Sequence, residues 1–343
     1  ALLRRLAERL RPQHNTVAAA AVMGLAVLLV LGCGHLLPVY LCYALYGLAT
    51  ALFWPPLMAW LSTGLEGQSL NRTMGWFNVS WSCGGIAGPI IAGALAKRDA
   101  RLPVAAAGLL YLIAALYVAW SARRLQARTA AAPRLAPLAD AATPGTAGDG
   151  LDHSTPLRYP AWVGLFAAYA VMGVVFNVFP LAAQDLLGLS KFAVGVVLFG
   201  RALTTSLALG ALGRSTVWHF RAGLMAAELA LFALVMAALP LAGSALTAGL
   251  VLGAVGILLA QCYANSLFHG VAGSRRRAAR MAIHEALLSA GMVCGGACGG
   301  ILFQTAGYAA VCRAAAVLLL LAAAVAAGFA WRGGAAARPG AGG

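Results

Sequence analysis

Long apolar stretches alternate with short polar joins along this chain. Ten stretches have the length of a bilayer-crossing helix, which takes roughly 20 predominantly apolar residues. They run 16–34, 36–62, 74–96, 103–121, 160–183, 191–213, 221–241, 245–269, 280–304 and 307–331. The join at 34–36 predicts a tight helical hairpin. One join is different: 122–158 is rich in Ala, Pro, Gly and Thr and has no apolar period, which predicts a flexible linker. It separates an N-terminal bundle of four spans, 1–121, from a C-terminal bundle of six, 159–332, and 333–343 reads as a disordered tail. The pattern therefore predicts an all-α membrane protein, a polytopic helical bundle with about ten transmembrane helices.

Composition strengthens this reading. Hydrophobic residues make up 62% of the 343, with only 24 Lys+Arg and 9 Asp+Glu. A soluble domain carries about 25% charge, so an ordinary soluble enzyme, a disordered chain and a solvated nucleic-acid-binding surface are excluded. The seven cysteines are odd in number and lie in apolar stretches, so they define no disulfide framework.

The net charge of +15 is mainly a topology signal. With the N-terminus in the cytoplasm, 18 of the 24 basic residues fall on cytoplasmic segments. Four (Lys97, Arg98, Arg101, Lys191) fall outside, and Arg201 and Arg313 lie within spans. This asymmetry follows the positive-inside rule and predicts that both termini and the linker are cytoplasmic.

Two segments resemble one another: 72–95 and 280–303. Each opens with Arg and carries a small-residue run about four turns in, Gly84, Gly85, Gly88 and Pro89 in one and Gly295, Gly296, Gly299 and Gly300 in the other. Gly84 with Gly88, and Gly295 with Gly299, share a helix face by i, i+4 spacing, and such faces let backbones approach closely in lipid. Internal repeats separated by a linker are a signature of transporters.

On these residues the chain resembles the major facilitator superfamily. GPIIAG at 88–93 is similar to the glycine-proline motif of that family's fifth helix. RRLAERLRP at 4–12 resembles its acidic-basic loop motif, with Glu8 and Arg9 as the acidic-basic pair and Arg4 and Arg11 in place of the usual glycines. LGRSTVWHFR at 212–221 is a fainter echo without the acidic residue. The resemblance implies two helical bundles. It places 16–121 as family helices three to six and 160–331 as helices seven to twelve, with the first two helices absent from this chain.

Polar residues inside spans are functional candidates by default, because lipid penalises them. Arg201 lies near mid-span and is a candidate substrate clamp or gating charge, the alternative being a buried ion pair. Glu285, beside His284, and Glu228 are candidate proton carriers, the alternative being pairs with Arg clusters at 214–221 or 275–280. Asn78, Trp81, Asn177, Gln261 and Asn265 are candidates to line a cavity, and Gln261 and Asn265 share a face. The resemblance adds weight to Asn177, Gln261 and Asn265, whose helices face the family's central cavity. Pro55–Pro56 predicts an interruption of the second span. The glycine faces with Pro89 are expected at a bundle interface.

No metal site and no cofactor are predicted: Cys294 and Cys298 have helical spacing without companion ligands, and GK[ST], HExxH and GxSxG are absent. The expected function is secondary active transport of a small solute by alternating access, with a proton as candidate coupling ion. The expected partners are that solute and the lipid bilayer, with no nucleic acid and a monomeric state. The alternatives are a non-transporting membrane sensor or an inactive remnant of the family.

Overall fold

The structure, a computed structural model, describes residues 12–131 and 153–336. Residues 4–11 of the loop motif, most of the linker and the end of the tail lie outside them. Every regular element among the described residues is helical. In chain order these are α1 (Pro12–Val30), α2 (Leu36–Leu61), α3 (Gly67–Ala96), α4 (Leu102–Ala131), α5 (Arg158–Asn177), α6 (Phe179–Leu187), α7 (Lys191–Leu212), α8 (Ala222–Ala238), α9 (Ala245–Val271), α10 (Arg277–Ala306) and α11 (Tyr308–Ala336), with a 3-10 turn at Leu239–Leu241.

All ten expected stretches are helical, and among the described residues nine helices are both long and apolar enough to cross a membrane. The tenth, α3, has 30 residues, but Gln68, Asn71, Arg72, Asn78, Ser80 and Ser82 dilute its apolar character. Three boundaries differ from the sequence reading. The fifth stretch breaks at Val178 into α5 and α6, because Pro180 lacks the N–H that would bond the carbonyl of Phe176. Helix α4 continues to Ala131, past the expected end of its span at 121: Arg123, Arg124, Leu125 and Gln126 are good helix formers, and the next proline is Pro133. Helix α2 runs unbroken through Pro55 and Pro56, whose rings are buried, so the expected interruption is not there.

The described chain forms two compact units that do not follow its order. Of the described residues, the first comprises 12–65, 87–131, 153 and 275–285; the second comprises 66–86, 154–274 and 286–336. In the first unit α1 packs on α2 and α4. Gly24 and Gly108 make the α1–α4 approach possible: a Cβ on Gly24 would lie 2.9 Å from the Gly108 carbonyl oxygen. The Tyr46 and Tyr111 hydroxyls share a hydrogen bond of 2.8 Å, and both rings line an apolar cleft of about 350 Å³ between α1, α2 and α4. At the end of α2, Arg277 donates to the carbonyls of Ser62 and Leu65. A cation thus satisfies carbonyls that a helix C-terminus leaves open.

In the second unit α5 is the central element, with almost every residue from Pro160 to Val175 buried. Helices α9 and α11 pack on it, α7 packs on α9, and α8 packs on α11. Thr204 and Thr205 donate to the carbonyls of Gly253 and Gly256 at 2.9 and 3.0 Å, joining α7 to α9. The start of α3 lies against the end of α7. There Gly75 meets Gly213 backbone to backbone, and the Asn71 amide donates to the carbonyls of Leu212 and Ser215 at 2.8 Å each.

Candidate substrate site

Arg201 is the deepest cation of the second unit. It sits nearly three turns into α7, whose start is fixed by Ser190 accepting the Ala193 N–H. The side chain is only 6% exposed. Its Nη1 contacts the Met172 sulfur at 3.5 Å, and its guanidinium carbon lies 5.1 Å from the centre of the Phe176 ring. The Tyr169 phenol is within electrostatic reach of it. Residues 169, 172 and 176 share one face of α5 at i, i+3 and i+7, and from it Met172 and Phe176 present a sulfur and a ring to the cation. Arg201 makes no ion pair with any described residue, and its Nε has no hydrogen-bond partner. Arg201 is therefore not half of a buried ion pair among the described residues.

The aromatic surface continues from Tyr169. Its ring centroid is 6.3 Å from that of Tyr263 on α9. Tyr263 is followed by Trp81 of α3, 6.4 Å away with the planes only 3° apart. Tyr169 and Tyr263 are buried, whereas Trp81 and Phe176 are 48% and 45% exposed. Together Arg201, Met172, Phe176, Tyr169, Tyr263 and Trp81 offer one buried positive charge and a run of ring faces.

The remaining candidates disperse. Asn265 is buried but turned to α8, where its amide donates to Glu228 at 3.0 Å. Gln261 shares that face by spacing, and its Nε2 has no partner. By spacing, these two do not share the face of Tyr263. Asn78 is buried against α7 and α9 beside a void of about 10 Å³, room for about one water. Asn177, at the end of α5, bonds its own helix at the Gly173 carbonyl, 2.8 Å away.

Glu228 and Glu285 have no basic partners among the described residues. Glu228 bonds Asn265; Glu285 is half-buried and has no hydrogen bond or ion pair. Among the described residues neither makes the alternative pair with the Arg clusters. The two glycine faces also differ. A Cβ on Gly295 would collide with Ala170, and one on Gly299 would lie 3.0 Å from Val174, so this face packs on α5 within its own unit. A Cβ on Gly84 or Gly88 would meet no atom of another described element within 4 Å. No group of three or more His, Cys, Asp or Glu able to hold a metal occurs among the described residues.

Sequence reasoning passed over Tyr169, Met172, Phe176 and Tyr263. Apolar and aromatic residues inside a membrane helix look like packing until a charge is found against them.

Nine apolar helices among the described residues, each long enough to cross a bilayer, define a multi-pass helical membrane protein. The chain belongs to the Major Facilitator Superfamily, whose family model matches residues 2–273. No curated protein is significantly similar to it in sequence. Among solved structures, the human organic anion transporter MFSD10 (TETRAN) has a similar fold. Its TM-score is 0.71 at 15% identity, covering 92% of this chain and 77% of that one. A bacterial homologue of the iron transporter ferroportin in its outward-facing state gives 0.66 at 14% identity, covering 94% and 82%. The same homologue with soaked iron gives 0.65 at 15%, covering 93% and 83%.

Proposed function

We propose that the protein is a secondary active transporter that moves a small anionic solute by alternating access, with Arg201 as the substrate clamp. The observation that carries this reading is the desolvated guanidinium of Arg201, which has no acidic partner among the described residues. A charge inside a span costs at least about 2.5 kcal/mol on insertion scales. An anionic substrate supplies the missing counter-charge, so binding offsets a cost already present in the folded protein. One structural neighbour is itself an organic anion transporter; at that identity the likeness concerns the fold, and the anion assignment rests on Arg201.

A proton is the proposed coupling ion. Glu285, with neither a basic partner nor a hydrogen bond among the described residues, is the first candidate to carry it, and Glu228 the second. The positive-inside asymmetry supports cytoplasmic termini, and the composition supports a bacterial inner membrane. Asn78, Asn177, Gln261 and Asn265 act in this reading through helix packing around the site.

Uptake of radiolabelled carboxylates into proteoliposomes, with and without a pH gradient, tests the proposal. Arg201→Gln is expected to abolish uptake. Wild-type rates in that variant would remove the site assignment while leaving the family membership intact.

A further inference from the structure

Arg201 belongs to the second unit; the first unit carries a reactive pair of its own. We propose that Cys33 and Cys42 form a disulfide bond that closes the α1–α2 hairpin on the outer side of the membrane. The inference does not depend on what is transported. It rests on the reading that the termini are cytoplasmic, which puts the first join outside.

The geometry of the hairpin carries it. The N–H groups of Leu31, Gly32 and Cys33 bond the carbonyls of Leu28, Leu29 and Val30 at 3.1, 3.0 and 3.1 Å, the tightened pattern of a 3-10 turn. This holds Cys33 over the last turn of α1, where its thiol donates to the Leu29 carbonyl at 3.3 Å. Helix α2 begins at Leu36, so the join is short, and α2 packs on α1. Cys42 of α2 lines the apolar cleft together with Val27 and Val30 of α1, so it faces the end of the helix that Cys33 extends. The two thiols are within interaction range of one another. Neither is fully buried, and the structure holds both reduced. Among the seven cysteines, Cys33 alone lies outside the helices.

Disulfides persist in oxidising compartments such as the outer side of a bacterial inner membrane. The oxidant required is itself a disulfide, small or protein-borne. One protein thiolate attacks it, forming a mixed disulfide and releasing one thiolate. The other protein thiolate then attacks the protein sulfur of that intermediate and releases the second. The protein loses two electrons and two protons, and the oxidant leaves as two thiols. The new bond fixes the outer rim of the cleft that Cys42 lines.

The test counts thiols. The full chain is expressed in a bacterial inner membrane, the cells are lysed into N-ethylmaleimide and denaturant, and the intact mass gives the number of alkylated residues. Of the seven cysteines, five should be alkylated without reductant and all seven after reduction. Cys33→Ser and Cys42→Ser each release the partner thiol, so each should label at six without reductant. Peptide mapping should find the link between Cys33 and Cys42. Seven labels on the unreduced wild type, or a link between any other pair, overturns the proposal. If seven labels appear, oxidised glutathione added to the purified protein separates the two causes. A fall to five then shows that the thiols meet but face a reducing side, so the orientation fails; no fall shows that they do not meet. As a second readout, reductant should lower the unfolding temperature of the wild type in detergent by several degrees and leave Cys33→Ser unchanged. A wild type insensitive to reductant would show that no such bond constrains the hairpin.

Discussion

His269 accepts the backbone N–H of Phe220 on its Nε2 at 3.1 Å. Its Nδ1 lies 2.8 Å from the Asn265 carbonyl, which can only accept, so Nδ1 carries the proton and Nε2 is free to accept. Among the described residues, Phe220 is the one non-glycine residue at positive φ, 55°. A buried imidazole on α9 thus holds the loop between α7 and α8 in a conformation that L side chains avoid. His269→Leu leaves the Phe220 N–H without its partner, at a cost of about 1–3 kcal/mol. A lower unfolding temperature in detergent, by several degrees, is the expected readout. A variant that melts with the wild type would show that the loop does not need this bond.

The neighbouring His219 supplies a pH prediction. It stacks on Phe268 with centroids 3.8 Å apart, and burial pushes it below the ordinary histidine value of 6.5. The folded protein therefore binds less proton here than the unfolded chain. Stability from this group is present above 6.5 and is lost as pH falls through the lower folded value. His219→Phe keeps a ring on Phe268 but cannot titrate. Melting curves between pH 8 and pH 5 should fall more steeply for the wild type than for this variant; identical slopes would count against a neutral, half-buried His219.

Glycines give a prediction on packing. A Cβ at Gly75 would lie 2.6 Å from the Gly213 Cα, and neither backbone can yield without moving its helix. Gly75→Ala should therefore destabilise the second unit. Gly84→Ala and Gly88→Ala meet open space and should be neutral or, from helix propensity, stabilising by up to about 1 kcal/mol. Thermal unfolding of the three variants decides the matter: equal losses at all three positions would contradict the packing described here.

The glycines also show what sequence could and could not convey. Spacing identified Gly84 with Gly88 and Gly295 with Gly299 as small faces, because periodicity is a property of one helix. What lies opposite each face is set by tertiary packing, so Gly295 meeting Ala170, and Gly84 meeting nothing, were not legible. The same division holds at the site. Arg201 stood out because charge is rare in lipid. Spacing alone puts Gln261 and Asn265 on one face, but that Asn265 meets Glu228 on α8 depends on how the helices pack. The break at Val178 was hidden because the apolar run continues through Pro180, although the proline itself was in view.

The last prediction separates the two carboxylates. Glu228 accepts the Asn265 amide at 3.0 Å, and that amide belongs to the residue whose carbonyl orders His269. A glutamine at 228 still offers a carbonyl oxygen to Asn265, so Glu228→Gln should preserve both stability and the response of transport to a pH gradient. Asn265→Ala removes the donor and should lower stability by about 1–3 kcal/mol. Glu285 has no such bond among the described residues. Under the proposed coupling, Glu285→Gln should leave folding intact and make uptake insensitive to the gradient, because a neutral amide mimics the protonated acid permanently. Initial rates in proteoliposomes with an imposed pH step measure this directly. If Glu228→Gln loses the gradient response and Glu285→Gln keeps it, the proton site belongs on α8, and the Asn265 bond becomes part of the coupling path.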